Sequence, residues 1–315
     1  MRRTGFALLL FGASACNQVS SIDNPDPTAL DDVEFARMRL GHRLFFDPGL
    51  SASGETSCAT CHEPDQFGVD GLARSVGDQE TAVRRNAPST FNAALKSHQF
   101  WDGRAATLEE QASGPLLAAD EMGGDEDAIL EHVRGYDDLF DAAFPGEGGP
   151  SLDQVTSALA DYQRMLPRRS RFDAYLDGDR DALSRTERRG YRLFRRNCDF
   201  CHSGAGIGGG QIEKLGEEEP WPEDRRDDQG RFEVTQNPGD RMKFVVPSLR
   251  NVSKTAPYFH DGSVETLDEA VRLMARHQLG RDFSGRNVRA LVAFLETLEA
   301  QDVQPWAYED WDGTR

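Results

Sequence analysis

The feature that most constrains this chain is a five-residue pattern that occurs twice, Cys58-Ala-Thr-Cys61-His62 and Cys198-Asp-Phe-Cys201-His202. Two thiols three residues apart with a histidine directly after them have the attachment spacing of c-type haem: the thiols add to the two vinyl groups, and the histidine is thereby placed under the iron. A zinc ribbon would bring its two cysteine pairs much closer in sequence, and a redox dithiol leaves the histidine after both pairs unexplained. The residues therefore point to two covalent haems. One is held by Cys58, Cys61 and His62, the other by Cys198, Cys201 and His202. The fifth cysteine, Cys16, lies far upstream, so no odd thiol remains for a structural disulfide.

Around these motifs the chain repeats itself. Gly41-x-Arg43-Leu44-Phe45 precedes the first and Gly190-x-Arg192-Leu193-Phe194 the second. Further on, Phe100-x-Asp102-Gly103 is followed by Thr107-Leu108-x-Glu110, and Phe259-x-Asp261-Gly262 by Thr266-Leu267-x-Glu269, with identical internal spacing, which reads as an internal duplication. Ser151…Gln154, Ser184…Glu187, Thr107…Glu110 and Thr266…Glu269 all have capping-box spacing ahead of helices. Val155, Leu159, Tyr162 and Leu166 form one apolar stripe at helical period, and Val288, Leu291, Val292, Leu295 and Leu298 another. Strand-like alternation is scarce. The expected fold is mainly α: two cytochrome c-like domains, 29–178 and 179–315, each with one covalent haem. Residues 176–184, with Gly178, read as the linker, and the acidic segment 216–239 as a long surface loop.

The chain begins with an export pattern: Arg2 and Arg3, an apolar run from Phe6 to Phe11, then Ala13-Ser14-Ala15 before Cys16. Residues 1–15 read as a signal peptide, too short in its apolar run to span a bilayer. Cys16 fits both a lipid-modified first mature residue and a simple nearby cleavage, with 16–28 as a low-complexity tether. Either places the protein in the periplasm or the outer cell envelope. A net charge of −18 repels nucleic acid and favours a basic partner, such as a small cationic electron carrier.

Met274 sits on the apolar face of a predicted helix with Leu267, Ala270 and Val271, where it reads either as the second haem's sixth ligand or as plain core. In the duplicated alignment its counterpart is Pro115, which cannot ligate iron, so the first haem keeps an open position. Near it the sequence offers Gln111, Glu121 and Met122. A carboxylate such as Glu121 can take a proton from one peroxide oxygen and return it to the other, or it is one member of the acidic surface around Asp120 and Asp125. Met122 is an alternative ligand. Trp101, where the second copy has His260, is core filler or a stepping stone for electrons. The glycine run from Gly204 to Gly210 follows a haem motif rather than a strand, which argues for close backbone approach to a macrocycle instead of a nucleotide loop.

From about Leu40 to Leu298 the chain resembles the bacterial di-haem cytochrome c peroxidases of the cytochrome c peroxidase/MauG superfamily. The motifs that carry the likeness are Leu44-Phe-Phe-Asp47, Arg85-Asn86-Ala87-Pro88, Phe100-Trp-Asp-Gly-Arg104, Val246-Pro-Ser-Leu-Arg-Asn251 and Ala256-Pro-Tyr-Phe-His260. The resemblance implies reduction of hydrogen peroxide with electrons from a small cytochrome c or copper protein. It assigns His62 to the peroxidatic haem, His202 and Met274 to the high-potential haem that receives electrons, Gln111 and Glu121 to the catalytic distal pair, and Trp101 to the path between haems. It also implies a structural calcium on Asn86 and the carbonyls of Thr255 and Pro257, oxygen ligands that suit a hard cation, and it allows a homodimer. The alternatives are a MauG-like enzyme that uses peroxide to oxidise Trp or Tyr side chains of a partner protein, and a di-haem electron carrier with both irons fully ligated. One departure matters: the family's blocking histidine, sixteen residues beyond the haem-binding one, aligns with Asp78, although His98 could approach from another loop.

Overall fold

The computed structural model describes residues 19–166 and 168–314; the export segment 1–15 and Cys16 lie outside the described residues. Seven helices of eight residues or more carry the described fold: α1 Asp32–Phe45, α2 Leu108–Leu117, α3 Glu126–Val133, α4 Leu152–Arg164, α5 Arg185–Asn197, α6 Leu267–Leu279 and α7 Gly285–Leu295. Named strands among the described residues are one antiparallel pair, β1 Ile212–Lys214 and β2 Lys243–Val245. The mainly helical expectation holds.

The helices begin where the sequence offers oxygen acceptors to their unpaired first-turn N–H groups. Ser151 with Gln154 and Ser184 with Glu187 form full capping boxes, as does Asp31 with Glu34 ahead of α1. At α2 and α6 only the threonine half is made: Thr107 accepts from Glu110 N and Thr266 from Glu269 N. The Glu110 carboxylate reaches one residue further back, to Ala106 N.

Two apolar cores follow. α1 crosses α4 in the first, where Leu40, Leu44, Phe45, Val155, Leu159 and Tyr162 pack together. α5 crosses α7 in the second, with Phe172, Phe194, Leu291, Phe294 and Leu295. Both crossings depend on glycine. A Cβ on Gly41 would stand 1.8 Å from the Ala158 carbonyl oxygen, and one on Gly190 would stand 1.8 Å from that of Ala290. Repeated spacing in the sequence is thus matched by repeated local geometry. Bridges join Gln99 to Ala105 and Tyr258 to Val264, with Phe100 and Phe259 both at positive φ.

Three expectations are altered by long-range partners. The cores do not divide the chain at one point: Phe172 belongs to the second core, whereas Ala307 near the C-terminus belongs to the first. The described part of the expected tether is docked, with Ile22 N donating to Asp173 Oδ1 at 3.1 Å and Arg169 N to Asn24 Oδ1 at 2.7 Å. The expected surface loop 216–239 buries Trp221 against Phe259, at 4.6 Å between ring centroids, and sinks the Asp228 carboxylate onto Arg85.

Candidate active site

The first Cys-x-x-Cys-His motif forms one helical turn, Cys58–Cys61, closed by His62 N donating to Cys58 O at 3.0 Å. His62 Nδ1 lies 3.1 Å from Gly68 O. Donation there leaves Nε2 as the imidazole's free lone pair, and burial holds the ring below the usual histidine pKa, in its neutral ligating form. The second motif makes the same turn: His202 N donates to Cys198 O at 2.9 Å just past α5. Burial pushes the thiols of Cys58 and Cys198 up to about 12. Among the described residues no group of three or more His, Cys, Asp or Glu is placed to hold a metal ion. The zinc and dithiol readings have no support.

Cys58, Cys61 and His62 open onto a cavity of about 390 Å³ whose wall also contains Lys96, Trp101, Gln111, Pro115 and Glu121. α2 supplies Gln111 and Pro115; the turn after it supplies Glu121. Glu121 is half-buried while Asp120 and Asp125 are exposed, so it does not belong to the acidic surface. Burial, then the charge of Asp120, raises its pKa, with Arg104 opposing. Met122 also touches the cavity, but its side chain is buried in the first core. Trp101 is fixed at both ends: its Nε1 donates to Asn86 O at 2.9 Å and its carbonyl accepts from Val245 N at 2.7 Å, while its ring meets His260 edge-on at 6.4 Å.

Comparison with known proteins agrees with this geometry. A family model described as "Di-haem cytochrome c peroxidase" matches residues 35–181. A cytochrome c551 peroxidase of Nitrosomonas europaea is 40% identical over 293 residues, covering 91% of this chain and 86% of that protein. Another, of Pseudomonas aeruginosa, is 37% identical and covers 94% and 90%. The chain belongs to the di-haem cytochrome c peroxidase family. It is an oxidoreductase of the peroxidase class, and haem is its cofactor. Among solved structures, a MauG-like protein associated with microbial copper homeostasis is similar, with a TM-score of 0.77 and 28% identity over 96% of this chain and 99% of that one.

The residues of this di-haem peroxidase fit the group the family implies. Lys96, which sequence reasoning missed, is a half-buried cation in the cavity wall with no carboxylate partner among the described residues; burial pushes it down to about 8. Such a cation suits a prosthetic group that carries two carboxylates. At the second motif His202 Nδ1 is buried beside the backbone of Ile207 and Pro247 without a well-formed hydrogen bond, and burial pushes the ring down to about 4. Met274 is half-buried on α6, the helix that shares the second core with Cys198 through Leu267 and Val271. The glycine run has a reason of its own: a Cβ on Gly208 would stand 2.1 Å from Pro247 O, and one on Gly209 would stand 2.5 Å from Lys96 Cγ.

Asp78 is absent from the cavity wall. Its carboxylate accepts from Ser53 N at 2.9 Å and Ser53 Oγ at 2.5 Å, bonds that hold it below the usual carboxylate range. Its backbone N donates to Glu121 O at 2.7 Å, so the segment that would carry a blocking side chain instead braces the Glu121 turn. His98 is also outside the wall, with Nδ1 3.2 Å from Ser97 Oγ. Around Asn86, the amide Nδ2 donates to Leu72 O at 2.9 Å and the backbone N to His260 O at 2.8 Å, three residues beyond Pro257. A buried ionic group, equally invisible in the sequence, ties these segments together: Arg85 bonds Asp102 at 2.5 Å and Asp228 at 2.6 Å.

Proposed function

We propose that this protein reduces hydrogen peroxide to water, H2O2 + 2e⁻ + 2H⁺ → 2H2O, with electrons from a small donor protein. One haem is held by Cys58, Cys61 and His62, and the other by Cys198, Cys201, His202 and Met274. They sit in two cytochrome c-like domains of common origin, 29–178 and 179–315, that exchange short terminal segments. Bound haem supplies the iron that takes peroxide and the redox equivalents that reduce it. Glu121 takes the proton from one peroxide oxygen and delivers it to the other, and its raised pKa brings it nearer the neutral range in which a carboxyl group does both. The Gln111 amide orients the peroxide by hydrogen bonding. Trp101, locked between Asn86 and Val245, lies on the route from the electron-receiving haem.

A single observation carries the proposal: the haem-binding triad and the Glu121/Gln111 pair face one cavity whose wall contains neither Asp78 nor His98. That arrangement supports direct access of peroxide to a haem held there, with no side chain of residues 78 or 98 to displace first. Calcium on Asn86, Thr255 and Pro257 and an envelope location, with or without a lipid on Cys16, complete the reading. No helix among the described residues is long and apolar enough to cross a membrane. The test is steady-state peroxide consumption with a reduced small cytochrome, run beside side-chain oxidation of candidate partner proteins. Turnover with the cytochrome supports the proposal. Oxidation of partner Trp or Tyr without it would favour the MauG-like alternative, which the likeness to a MauG-like structure keeps in view.

A further inference from the structure

Phe200 stands between the two cysteines of the second haem motif with 75% of its surface exposed, the most exposed large hydrophobic side chain among the described residues. Neither attachment chemistry nor the turn requires an aromatic there. The turn is closed by backbone bonds from Cys201 N and His202 N to Cys198 O, and Gln211 Nε2 donates to Phe200 O at 2.8 Å. An exposed aromatic with no role inside the fold marks a contact surface.

The charge around it is opposite to that of the whole molecule. The chain carries −18, yet residues 185–199 hold six arginines and two carboxylates, Glu187 and Asp199. Gly190 and Phe194 turn inward on α5, whereas Arg185, Arg192, Arg195 and Arg196 are exposed and Arg188 is half-buried. Glu187 is committed to Arg171 at 2.7 Å. Asp199 lies 3.8 Å from Arg195, a loose pair at the surface. Arg188 bonds only backbone carbonyls, those of Arg180 and Leu183. From the neighbouring segment Arg281, also exposed, donates to Asn197 Oδ1 at 3.3 Å. The acidic group facing the motif from the strand side is the half-buried Glu213 beside Cys201. The result, where Arg192, Arg195 and Arg196 lie within two helical turns of the motif, is a positive rim beside an apolar tip at the point where the second haem is attached.

We propose that Phe200 and the outward arginines of α5 form the docking surface for the electron donor, and that this donor is a small acidic electron-carrier protein with an apolar patch over its redox centre. The overall charge of −18 suggests a basic carrier, but docking is decided by the patch in contact, since charges beyond about 10 Å are screened at moderate salt. Phe200 supplies the desolvated anchor and the arginines steer the approach. The inference rests on the reading that the haem on His202 and Met274 receives the electrons.

The experiment uses the enzyme with both haems attached and two reduced donors of similar size, an acidic bacterial cytochrome c and a basic mitochondrial cytochrome c. KM for each is measured at saturating peroxide over a range of salt. The expected result is a lower KM for the acidic donor, with a second-order rate that falls as salt rises. Phe200→Ala should raise that KM roughly tenfold, the scale for truncating an aromatic anchor. Arg192→Glu with Arg196→Glu should invert the donor preference. Haem content and the absorption of the low-spin haem report whether each variant is intact. Preference for the basic donor at low salt, or an unchanged KM in intact Phe200→Ala, overturns the proposal. Anaerobic mixing with limiting reduced donor tests the underlying reading separately: if the haem on His62 is reduced first, that reading fails whatever the charge preference.

Discussion

Replacing Glu121 with Gln removes the one carboxylate in the wall of the first cavity that is placed to move a proton, while preserving its size. The other carboxylates of the wall are committed or exposed: Asp102 pairs with Arg85 and Arg104, Glu233 with Arg84, and Asp120 is exposed, whereas the Glu121 carboxylate has no hydrogen bond or ion pair among the described residues. A positioned acid–base group is worth roughly 10²–10⁴ in rate, or about 3–5.5 kcal/mol of barrier at 1.36 kcal/mol per decade. Turnover at saturating peroxide should therefore fall by about a hundredfold or more, with haem content unchanged. Burial and the neighbouring Asp120 charge both disfavour ionised Glu121, so its pKa lies above the ordinary carboxylate value. Wild-type activity should then fall with decreasing pH on an acid limb above the ordinary carboxylate range. Asp120→Asn should move that limb downward, and Glu121→Gln should abolish it. The assay is steady-state peroxide consumption with a reduced cytochrome as a function of pH. A Gln variant that keeps most of the turnover and the same acid limb would refute a proton-transfer role.

Because the Asp78 carboxylate is bound to Ser53 and not turned into the cavity, the fully oxidised protein should react rapidly with peroxide in stopped-flow mixing; Asp78→His should close the site until one electron is added, and an inert oxidised wild type contradicts this. Met274→Ala should leave both haems attached but remove a His/Met low-spin signature and lower the corresponding midpoint potential, while an unchanged spectrum would make Met274 a core residue. Asp173→Asn should lower stability by about 3–5 kcal/mol in thermal or urea unfolding, because it leaves the fully buried Arg250 guanidinium without its carboxylate. Burial alone would raise the Asp173 pKa, but the hydrogen bonds and charge of Arg250 leave it lowered. Its stabilisation is therefore complete above the unfolded carboxylate pKa and is lost as pH falls through the depressed folded value, a loss the Asn variant should not show.

The parts of this molecule that the sequence made legible are those whose chemistry is local. Haem attachment needs two thiols and a histidine within five residues, and a helix start needs an acceptor three residues from its donor; both can be read without knowing the fold. The helix crossings were half legible: the repeated glycines at 41 and 190 stood out as a pattern, but the carbonyls of Ala158 and Ala290 that require them lie far along the chain. What stayed hidden depends on distant partners. Asp78 could be seen to replace an imidazole, yet only its bond to Ser53, 25 residues away, shows which way it turns. The segment 216–239 has the composition of a solvated loop, and burial of Trp221 and Asp228 overrides that composition. Lys96 left no signal at all, since a lone lysine is ordinary until its surroundings are known.

The bond between Arg85 and Asp228 spans 143 residues of chain, so the wall of the first cavity, to which Arg85 belongs, is completed only by the far half of the chain. Val245, which holds the Trp101 carbonyl, comes later still. Trp101, in the wall of the first cavity, is therefore held from both halves of the chain, by Asn86 O at its ring nitrogen and by Val245 N at its carbonyl. The cavity that contains Cys58, Cys61 and His62 thus depends for its shape on residues that lie after the second haem motif.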